Sequence, residues 1–487
     1  MQDILIVGSG LGGLVSAAFL AKKGFQVTVL EKHYIHGGYA SSFRRRNWEF
    51  DVSLHCLSGL GEGGRINSIF REIELFDRVE FSRADPLYRA VFPNSDIVVT
   101  GDYNAYRNEL IRRFPNEQQG IESLFELFIK ISNENTASYT GIPVVTITYK
   151  DYTLQQVYDR FNLSLPLQAV LSQFWCYLGL PPNRLSALYF IFTWIDYHIF
   201  GGYYPKGKSQ QVSNAFKAII EENNGKVITR EEVQHIYVKD NEAYGVQTKK
   251  GNTYLSDKVI SNINPQQTLN MLSGKWEVPP VYEEKVKNLE PSYSCAQAYI
   301  IADVDFAEVY GEVCHEIFVN YSYDQNRIDG DIKEGNYDQL PFCITIYENI
   351  IPEYQNKKVS TLTMMQLCSS EDWIHLSEED YRSKKAELMQ LYLDKLEALY
   401  PGIKEKILHM ELATPRTIMR YTNHPNGAIY GSAQIVGQAV QNSLPHLTPI
   451  KNLFLVGAWT RPGSGYSGVI SSGYNLSKLI NQPVISK

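Results

Sequence analysis

Within the first thirty-one residues the chain runs from a short apolar stretch, Ile4–Val7, into Gly8-Ser9-Gly10-Leu11-Gly12-Gly13, then through a helical stretch, Leu14–Lys23, to Gly24 and a second apolar run, Gln26–Leu30, that ends on Glu31. Strand, glycine turn, helix, strand and acid in that order commit this part of the chain to a βαβ unit. The glycines serve different ends: Gly8 permits the tight turn, Gly10 lets backbone approach a pyrophosphate, and Gly13 lets the helix pack closely on the strand. A pyrophosphate placed there meets the free N–H groups and positive end of the helix. Glu31 stands where a carboxylate accepts hydrogen bonds from ribose hydroxyls, and its charge disfavours a 2′-phosphate. The predicted ligand is therefore a dinucleotide other than NADP.

A chain of 487 residues exceeds the roughly 250–300 residues at which a single core stops growing, so two domains are expected. With 44% hydrophobic and 20% charged residues it has the composition of a globular protein. A net charge of −7 argues against nucleic-acid binding, which needs clustered Lys and Arg. The tight basic run Arg44-Arg45-Arg46 lies between two strand-like pieces and reads as a solvated hairpin turn. Six scattered cysteines without CxxC spacing fit buried thiols in a reducing compartment, with neither zinc nor disulfides expected. The first strand starts at Asp3 or Ile4, ahead of which a signal peptide has no room, so a cytoplasmic location is expected. The most apolar window, Leu185 to Tyr204, is interrupted by Asp196, His198 and a Gly pair. It reads as a buried helix or, more sharply, as a tunnel-lining or lipid-facing element that would bring a peripheral membrane contact.

Farther along, Ile121, Leu124, Phe125 and Phe128 share one helical face, and Leu154, Val157 and Phe161 another, with Thr153 placed as a cap, so the middle of the chain reads as mostly helical. From Lys226 short β-branched runs follow: Val227–Thr229, Val233–Val238, Gly245–Thr248, Thr253–Leu255 and Val259–Ile260. Strands near Ala296–Ile301 and Ser360–Leu367 precede a helix from about Glu378 to Leu399 that Ser377 can cap. The strand Leu453–Val456 leads through a glycine-rich turn to a last helix near Gly468–Ile480. No repeat and no Pro/Gly/Ser-rich linker separates consecutive units. The expected fold is thus α/β, a Rossmann-like nucleotide-binding domain assembled from separated segments with an inserted mixed α+β substrate domain. The nucleotide-binding segments are set at 1–75, 201–275 and 441–487, and the substrate segments at 76–200 and 276–440.

Two further glycine turns extend the site. His36-Gly37-Gly38-Tyr39-Ala40-Ser41-Ser42-Phe43 lets a second stretch of backbone lie along the cofactor, and Val456-Gly457-Ala458-Trp459-Thr460-Arg461-Pro462-Gly463-Ser464-Gly465-Tyr466-Ser467-Gly468 repeats the sequence of strand, glycine turn and helix start. Amides at that helix start favour negative charge beside them. Together these segments resemble the FAD-dependent amine-oxidase superfamily, in its branch of phytoene desaturases, carotenoid isomerases and retinol saturases. The likeness extends over nearly the whole chain, through Tyr203-Tyr204-Pro205-Lys206-Gly207, Val259-Ile260-Ser261-Asn262, Ala413-Thr414-Pro415-Arg416 and Gly427-Ala428-Ile429-Tyr430-Gly431.

The resemblance implies FAD, held by Gly8, Ser9, Gly10, Gly12, Gly13, Glu31, Lys32, Gly37, Gly38, Ala40, Ser41, Ser42, Gly457, Ala458, Gly465, Tyr466, Gly468 and Val469, with the backbone of Val233 at the adenine. It also implies an apolar small-molecule substrate. The turn Gly457–Gly465 has the desaturase form, whereas Phe50-Asp51-Val52-Ser53-Leu54-His55 looks like the saturase and isomerase side. Dehydrogenation, with oxygen, a quinone or another acceptor taking the electrons, therefore stands against saturation or isomerisation. A lipid-binding escort protein of the same general fold is the non-enzymatic alternative. His55 and Tyr430 are the candidate catalytic residues, His55 because imidazole exchanges protons near neutral pH. Thr460 and Tyr466 are placed to touch substrate, and Gly59, Gly61, Gly63 and Gly64 read as a flexible turn near the site. Thirty-three tyrosines and twenty-one phenylalanines suit either a tunnel or a packed core.

Overall fold

Five short strands drawn from both ends and the middle of the chain lie parallel in one sheet, in the order Lys226–Ile228, Gln26–Leu30, Asp3–Val7, Lys258–Ser261 and Leu453–Leu455. The computed structural model describes residues 3–135, 141–351, 353 and 358–480. Because side chains alternate along a strand, Asp3–Val7 divides its apolar residues between two layers. Ile4 and Ile6 pack with Leu14 and Val15 on the helical side. Leu5 and Val7 pack with Ile236 and Val238 on the other. The second layer is a four-stranded sheet in the order Thr253–Leu255, Glu242–Thr248, Val233–Lys239 and Leu272–Gly274.

The first helix, Leu11–Lys22, begins three residues earlier than its sequence pattern marks, directly after the extended Gly10. It is buried on every side through Ala21 because Ser209–Glu222 and Gly465–Ile480 flank it. Its contact with Gly465–Ile480 is close: a Cβ at Gly473 would lie 2.6 Å from the Gly12 carbonyl.

A separate mixed sheet of seven strands forms the core of the rest: Ile407–Ala413, Ser294–Ala302, Ser360–Cys368, Phe342–Ile346, Glu316–Val319, Tyr88–Phe92 and Ser95–Val99. Helix Glu378–Leu399 buries Leu388, Tyr392 and Leu396, and the Ser377 hydroxyl accepts from the Asp380 amide, as its sequence leads one to expect. The stretch 76–200 is mostly helical from Tyr103 to His198, as read, but it opens with three strands, Phe81–Arg83, Tyr88–Phe92 and Ser95–Val99. Tyr88–Phe92 alternates strictly between buried and half-buried residues, and its partner in the hairpin pairs with it from Tyr88↔Val99 to Phe92↔Ser95. This is a period-2 signal that the surrounding helical patterns overshadow. Arg44–Arg46 does end a hairpin, Ser42–Arg45 paired with Trp48–Asp51.

The apolar window Leu185–Tyr204 is core. Its helix, Ala187–His198, wedges the fully buried Trp194 among Tyr103, Phe125 and Phe128. No residue of the window lines the large cavity described below, which overturns the tunnel-lining reading. Among the described residues no helix is long and apolar enough to cross a membrane. Gly59–Gly64 is likewise a packing turn, since a Cβ at Gly61 would meet the Phe200 carbonyl at 2.5 Å.

His198 sits within this core, stacked between Tyr106 at 4.9 Å and Trp194 at 4.2 Å, and neither ring nitrogen has a hydrogen-bond partner among the described residues. Burial pushes its pKa from 6.5 down to about 3. Protonation therefore favours the unfolded chain. The stabilising effect of a neutral His198 is complete above pH 6.5 and is lost as pH falls toward the folded value. Between about pH 7.5 and about pH 5 the wild-type protein should lose about 2 kcal/mol more stability than His198→Phe, which keeps the ring stack without a titrating nitrogen. Urea unfolding at the two pH values measures the difference, and parallel losses would assign the acid sensitivity elsewhere.

A candidate cofactor and substrate cavity

A cavity of about 400 Å³ runs along the parallel sheet and onward to the seven-stranded sheet. At one end lie Gly8, Gly10, Gly12, Glu31, Lys32 and Val233; in the middle Gly37, Gly38, Ala40, Ser41 and Ser42. At the other end are His55, Tyr430, Gly465, Tyr466 and Val469, together with Gln297, Tyr299 and Met365 of the mixed sheet. Ala458 and Trp459 also line it. Most of the residues singled out in the sequence are thereby brought to one wall. Gly10 and Gly37 form an isolated parallel bridge, and the Gly37 amide donates to the Ser9 carbonyl, so the second glycine segment lies against the first.

The remaining expected residues stand behind that wall. The Ser9 amide and hydroxyl donate to one oxygen of Glu31 at 2.8 and 2.6 Å, and the His33 amide donates to the other at 2.8 Å. Ser9 therefore orients the acid instead of facing the cavity. Gly13, Gly457 and Gly468 are required by close approach: a Cβ at Gly468 would lie 2.8 Å from the Gly463 carbonyl, and one at Gly13 would strike the Gly8 carbonyl. Thr460, expected at the substrate, turns inward, where its hydroxyl donates to the Gly457 carbonyl at 3.0 Å and pairs with Ser472.

Several residues to which the sequence reading gave no individual role complete the site. The Asn262 side chain fills the space between the two glycine turns; a Cβ at Gly10 would lie 2.9 Å from its amide nitrogen and one at Gly12 2.8 Å from its oxygen. Gln210 accepts from the Ser42 amide at 3.3 Å and donates to the His36 carbonyl, bracing the second glycine segment. Asp51, fully buried, accepts from the Tyr204 hydroxyl at 2.6 Å and from the amide and hydroxyl of Ser209, the first residue of Ser209–Glu222. Burial raises the Asp51 pKa while these donors hold it down. No local pattern announces such residues, because each works on segments distant in the sequence.

The tyrosines at the far end have committed protons. Tyr430 donates to the Cys176 carbonyl at 2.9 Å, Tyr299 to the Val52 carbonyl at 2.7 Å, Tyr466 to the Tyr39 carbonyl at 2.9 Å, and Tyr39 to the Ala428 carbonyl at 3.1 Å. Burial raises the pKa of all four phenols, which stay protonated. Tyr430 thus lines the cavity with its ring. His55 is buried on the wall, its Nδ1 3.1 Å from the Tyr347 hydroxyl, and burial lowers its pKa, so its imidazole is neutral at neutral pH. His424, also on the wall, donates through Nδ1 to the Ala428 carbonyl and is likewise kept neutral by burial.

The donor set fits a dinucleotide. An acid stands at the end where a ribose is expected, and glycine backbone lines the channel beyond it.

Residues 11–481 match the family model described as flavin containing amine oxidoreductase. Prolycopene isomerase 2 of an Oncidium hybrid cultivar is 25% identical over 97% of this chain and 82% of its own length. The all-trans-retinol 13,14-reductase of Danio rerio is 26% identical over 93% of this chain and 82% of its own. The 4,4′-diapophytoene desaturase (4,4′-diapolycopene-forming) of a Methylomonas species is 25% identical over 99% and 95%. Among solved structures, an oxidoreductase from Methanosarcina mazei superposes with a TM-score of 0.68 at 18% identity, covering 98% of this chain and all of its own, which is a likeness of fold.

The glycines separate two effects. Gly10→Val should fold but lose its bound nucleotide, since the added side chain meets only the end of Asn262 and otherwise enters the channel. Gly12→Val should lose stability as well, because its Cβ would also lie 2.8 Å from the Gly457 backbone. Glu31→Gln should weaken nucleotide binding by roughly 1.5–3 kcal/mol through loss of charge-assisted hydrogen bonds. Nucleotide content after denaturation, read beside thermal unfolding, checks all three. A folded Gly10→Val protein with full nucleotide content would remove the fingerprint from the site.

Proposed function

The chain belongs to the flavin-containing amine oxidoreductase family, and we propose that it is an FAD-dependent enzyme that dehydrogenates an apolar isoprenoid or polyene substrate. The observation that carries this reading is the single cavity that joins the Glu31 end to an apolar, tyrosine-lined end. At the nucleotide end Glu31, Lys32 and Val233 would hold the adenosine half of FAD, and the N-terminal glycines its pyrophosphate. Segments 1–75, 201–275 and 441–487 are assigned to holding it. The bound flavin supplies two-electron exchange with substrate carbon–hydrogen bonds.

What the chain's own residues contribute follows from the wall. Phenol rings and Met365 exclude water, and their hydroxyls offer no free proton to a passing ligand. The first turn of Gly465–Ile480, with Gly465, Tyr466 and Val469 on the wall, turns the positive end of that helix toward the cavity, which favours negative charge there. A neutral His55 is suited to accepting a proton. These features favour oxidation of the substrate. Since the sequence carries one dinucleotide fingerprint, oxygen or a quinone is the natural electron acceptor. The second reading, saturation or isomerisation of a polyene, is supported by the Phe50–His55 segment and by relatives named for prolycopene isomerisation and retinol reduction.

Anaerobic mixing of the oxidised enzyme with 4,4′-diapophytoene, prolycopene and all-trans-retinol distinguishes the readings. Bleaching of the flavin band with a more unsaturated product is expected. A rearranged product with the band unchanged would establish an isomerase, and recolouring of pre-reduced enzyme by retinol a saturase. Mass analysis of the nucleotide released from the protein tests FAD itself.

A further inference from the structure

The hydrogen-bond accounting around His55 determines which of its nitrogens carries the proton. The Tyr347 hydroxyl lies 3.1 Å from His55 Nδ1 and 3.2 Å from the Leu54 carbonyl oxygen. It has one proton to give, and the Thr363 hydroxyl, which also reaches this phenol, can donate to it without relieving the Leu54 carbonyl. Leu54 is buried, and no other donor among the described residues reaches its carbonyl. A carbonyl oxygen can only accept, whereas Nδ1 can bear a proton of its own. If the phenol gives its proton to Leu54 and accepts from Nδ1–H, both contacts are satisfied. If it gives the proton to Nδ1, the Leu54 carbonyl is left buried and unpaired, which is the costly arrangement. No described residue makes a hydrogen bond to the other ring nitrogen, Nε2, and His55 lies on the cavity wall.

We propose that Tyr347 is a positioning residue that fixes His55 as its Nδ1–H tautomer, so that Nε2 presents a lone pair to the cavity as the proton acceptor for bound substrate. The proposal rests on the reading that the tyrosine-lined end holds substrate. In a dehydrogenation two hydrogens leave adjacent carbons, one as hydride, for which oxidised flavin is the two-electron acceptor, and one as a proton. Nε2 takes the proton: an N–H bond forms as the C–H bond breaks, its electron pair stays with the new double bond, and the ring becomes imidazolium.

The surroundings support the assignment. Tyr347 is fully buried, packed against Tyr204 and His315, with Lys208 over its ring at 5.4 Å, so its hydroxyl has little freedom to turn away. The His315 ring lies between two backbone carbonyls, its Nε2 2.6 Å from that of His55 and its Nδ1 2.9 Å from that of Ile346. Glu316 is the carboxylate nearest this pair, 3.6 Å from His315, and it accepts from the Tyr177 hydroxyl and Cys343 thiol instead of reaching the His55 ring.

The flavin-loaded protein labelled with ¹⁵N-histidine tests the proposal by NMR, with His55→Gln identifying the His55 signals. Expected are a protonated Nδ1 and an unprotonated Nε2 in the wild type, and a shift toward the Nε2–H tautomer in Tyr347→Phe. An Nε2–H tautomer in the wild type would overturn the proposal even if Tyr347→Phe fails to fold. An unchanged His55 tautomer in a folded Tyr347→Phe protein would overturn the role of Tyr347. With a substrate that bleaches the flavin, His55→Gln should slow bleaching by about a hundredfold, and an unchanged rate would remove His55 from proton transfer. Failure to bind flavin at all would count against the functional reading and leave the tautomer measurable.

Discussion

One amide side chain holds the two ends of the chain in register. Asn262, which follows the strand Lys258–Ser261 that lies between Asp3–Val7 and Leu453–Leu455, occupies the space that Cβ atoms at Gly10, Gly12 and Gly457 would need, and its own amide reaches toward the Gly8 carbonyl. The glycines of the N-terminal turn are therefore constrained from two directions, by the channel in front and by Asn262 behind. The same side chain sits beside the turn that follows Leu453–Leu455, so the first and last strands of the sheet bring their loops together around it. Close packing leaves little latitude for error at such a point.

The cavity inherits its shape from a second fastening. Asp51 ends the hairpin strand Trp48–Asp51 and reaches Tyr204 of Gly202–Pro205 and the first residue of Ser209–Glu222. Three pieces of chain that line or back the cavity are thereby fixed to one carboxylate. Hydrogen bonds from Gln297 and Tyr299 to the Val52 carbonyl carry the connection on to the seven-stranded sheet. The wall around His55 thus belongs to both sheets.

How much of this was legible depends on how local each signal is. Gly8 through Glu31 could be read as strand, turn, helix and acid because each residue answers to its near neighbours, although the helix starts at Leu11 instead of Leu14 and Ser9 is committed to Glu31. Ser377 and Thr153 were legible for the same reason, since a cap lies next to the helix it serves. Tyr88–Phe92 was passed over among helical patterns although its alternation and its hairpin partner Ser95–Val99 are both local; only its second partner, Glu316–Val319, is distant in sequence. Of the two readings of Leu185–Tyr204 the buried helix holds and the tunnel-lining one does not: composition could not separate them, and its aromatic residues fill a core and leave the cavity to others. Asn262, Gln210 and Tyr347 are ordinary polar residues in sequence, and their roles exist only after distant segments have met.

The phenols of the wall point to how this protein would sort molecules. Tyr39, Tyr299, Tyr430 and Tyr466 have each given their hydrogen to a backbone carbonyl, so the wall has settled its own polar requirements. A hydrocarbon packed against these phenols leaves none of their hydroxyls unsatisfied. A hydroxylated analogue of the same shape must surrender its hydration and finds few partners in exchange, a loss that in other proteins amounts to roughly 1–3 kcal/mol for each buried polar group. The discrimination is then a matter of solvation: the same chain length with one added oxygen is turned away by what it leaves behind in water, without any residue set against it.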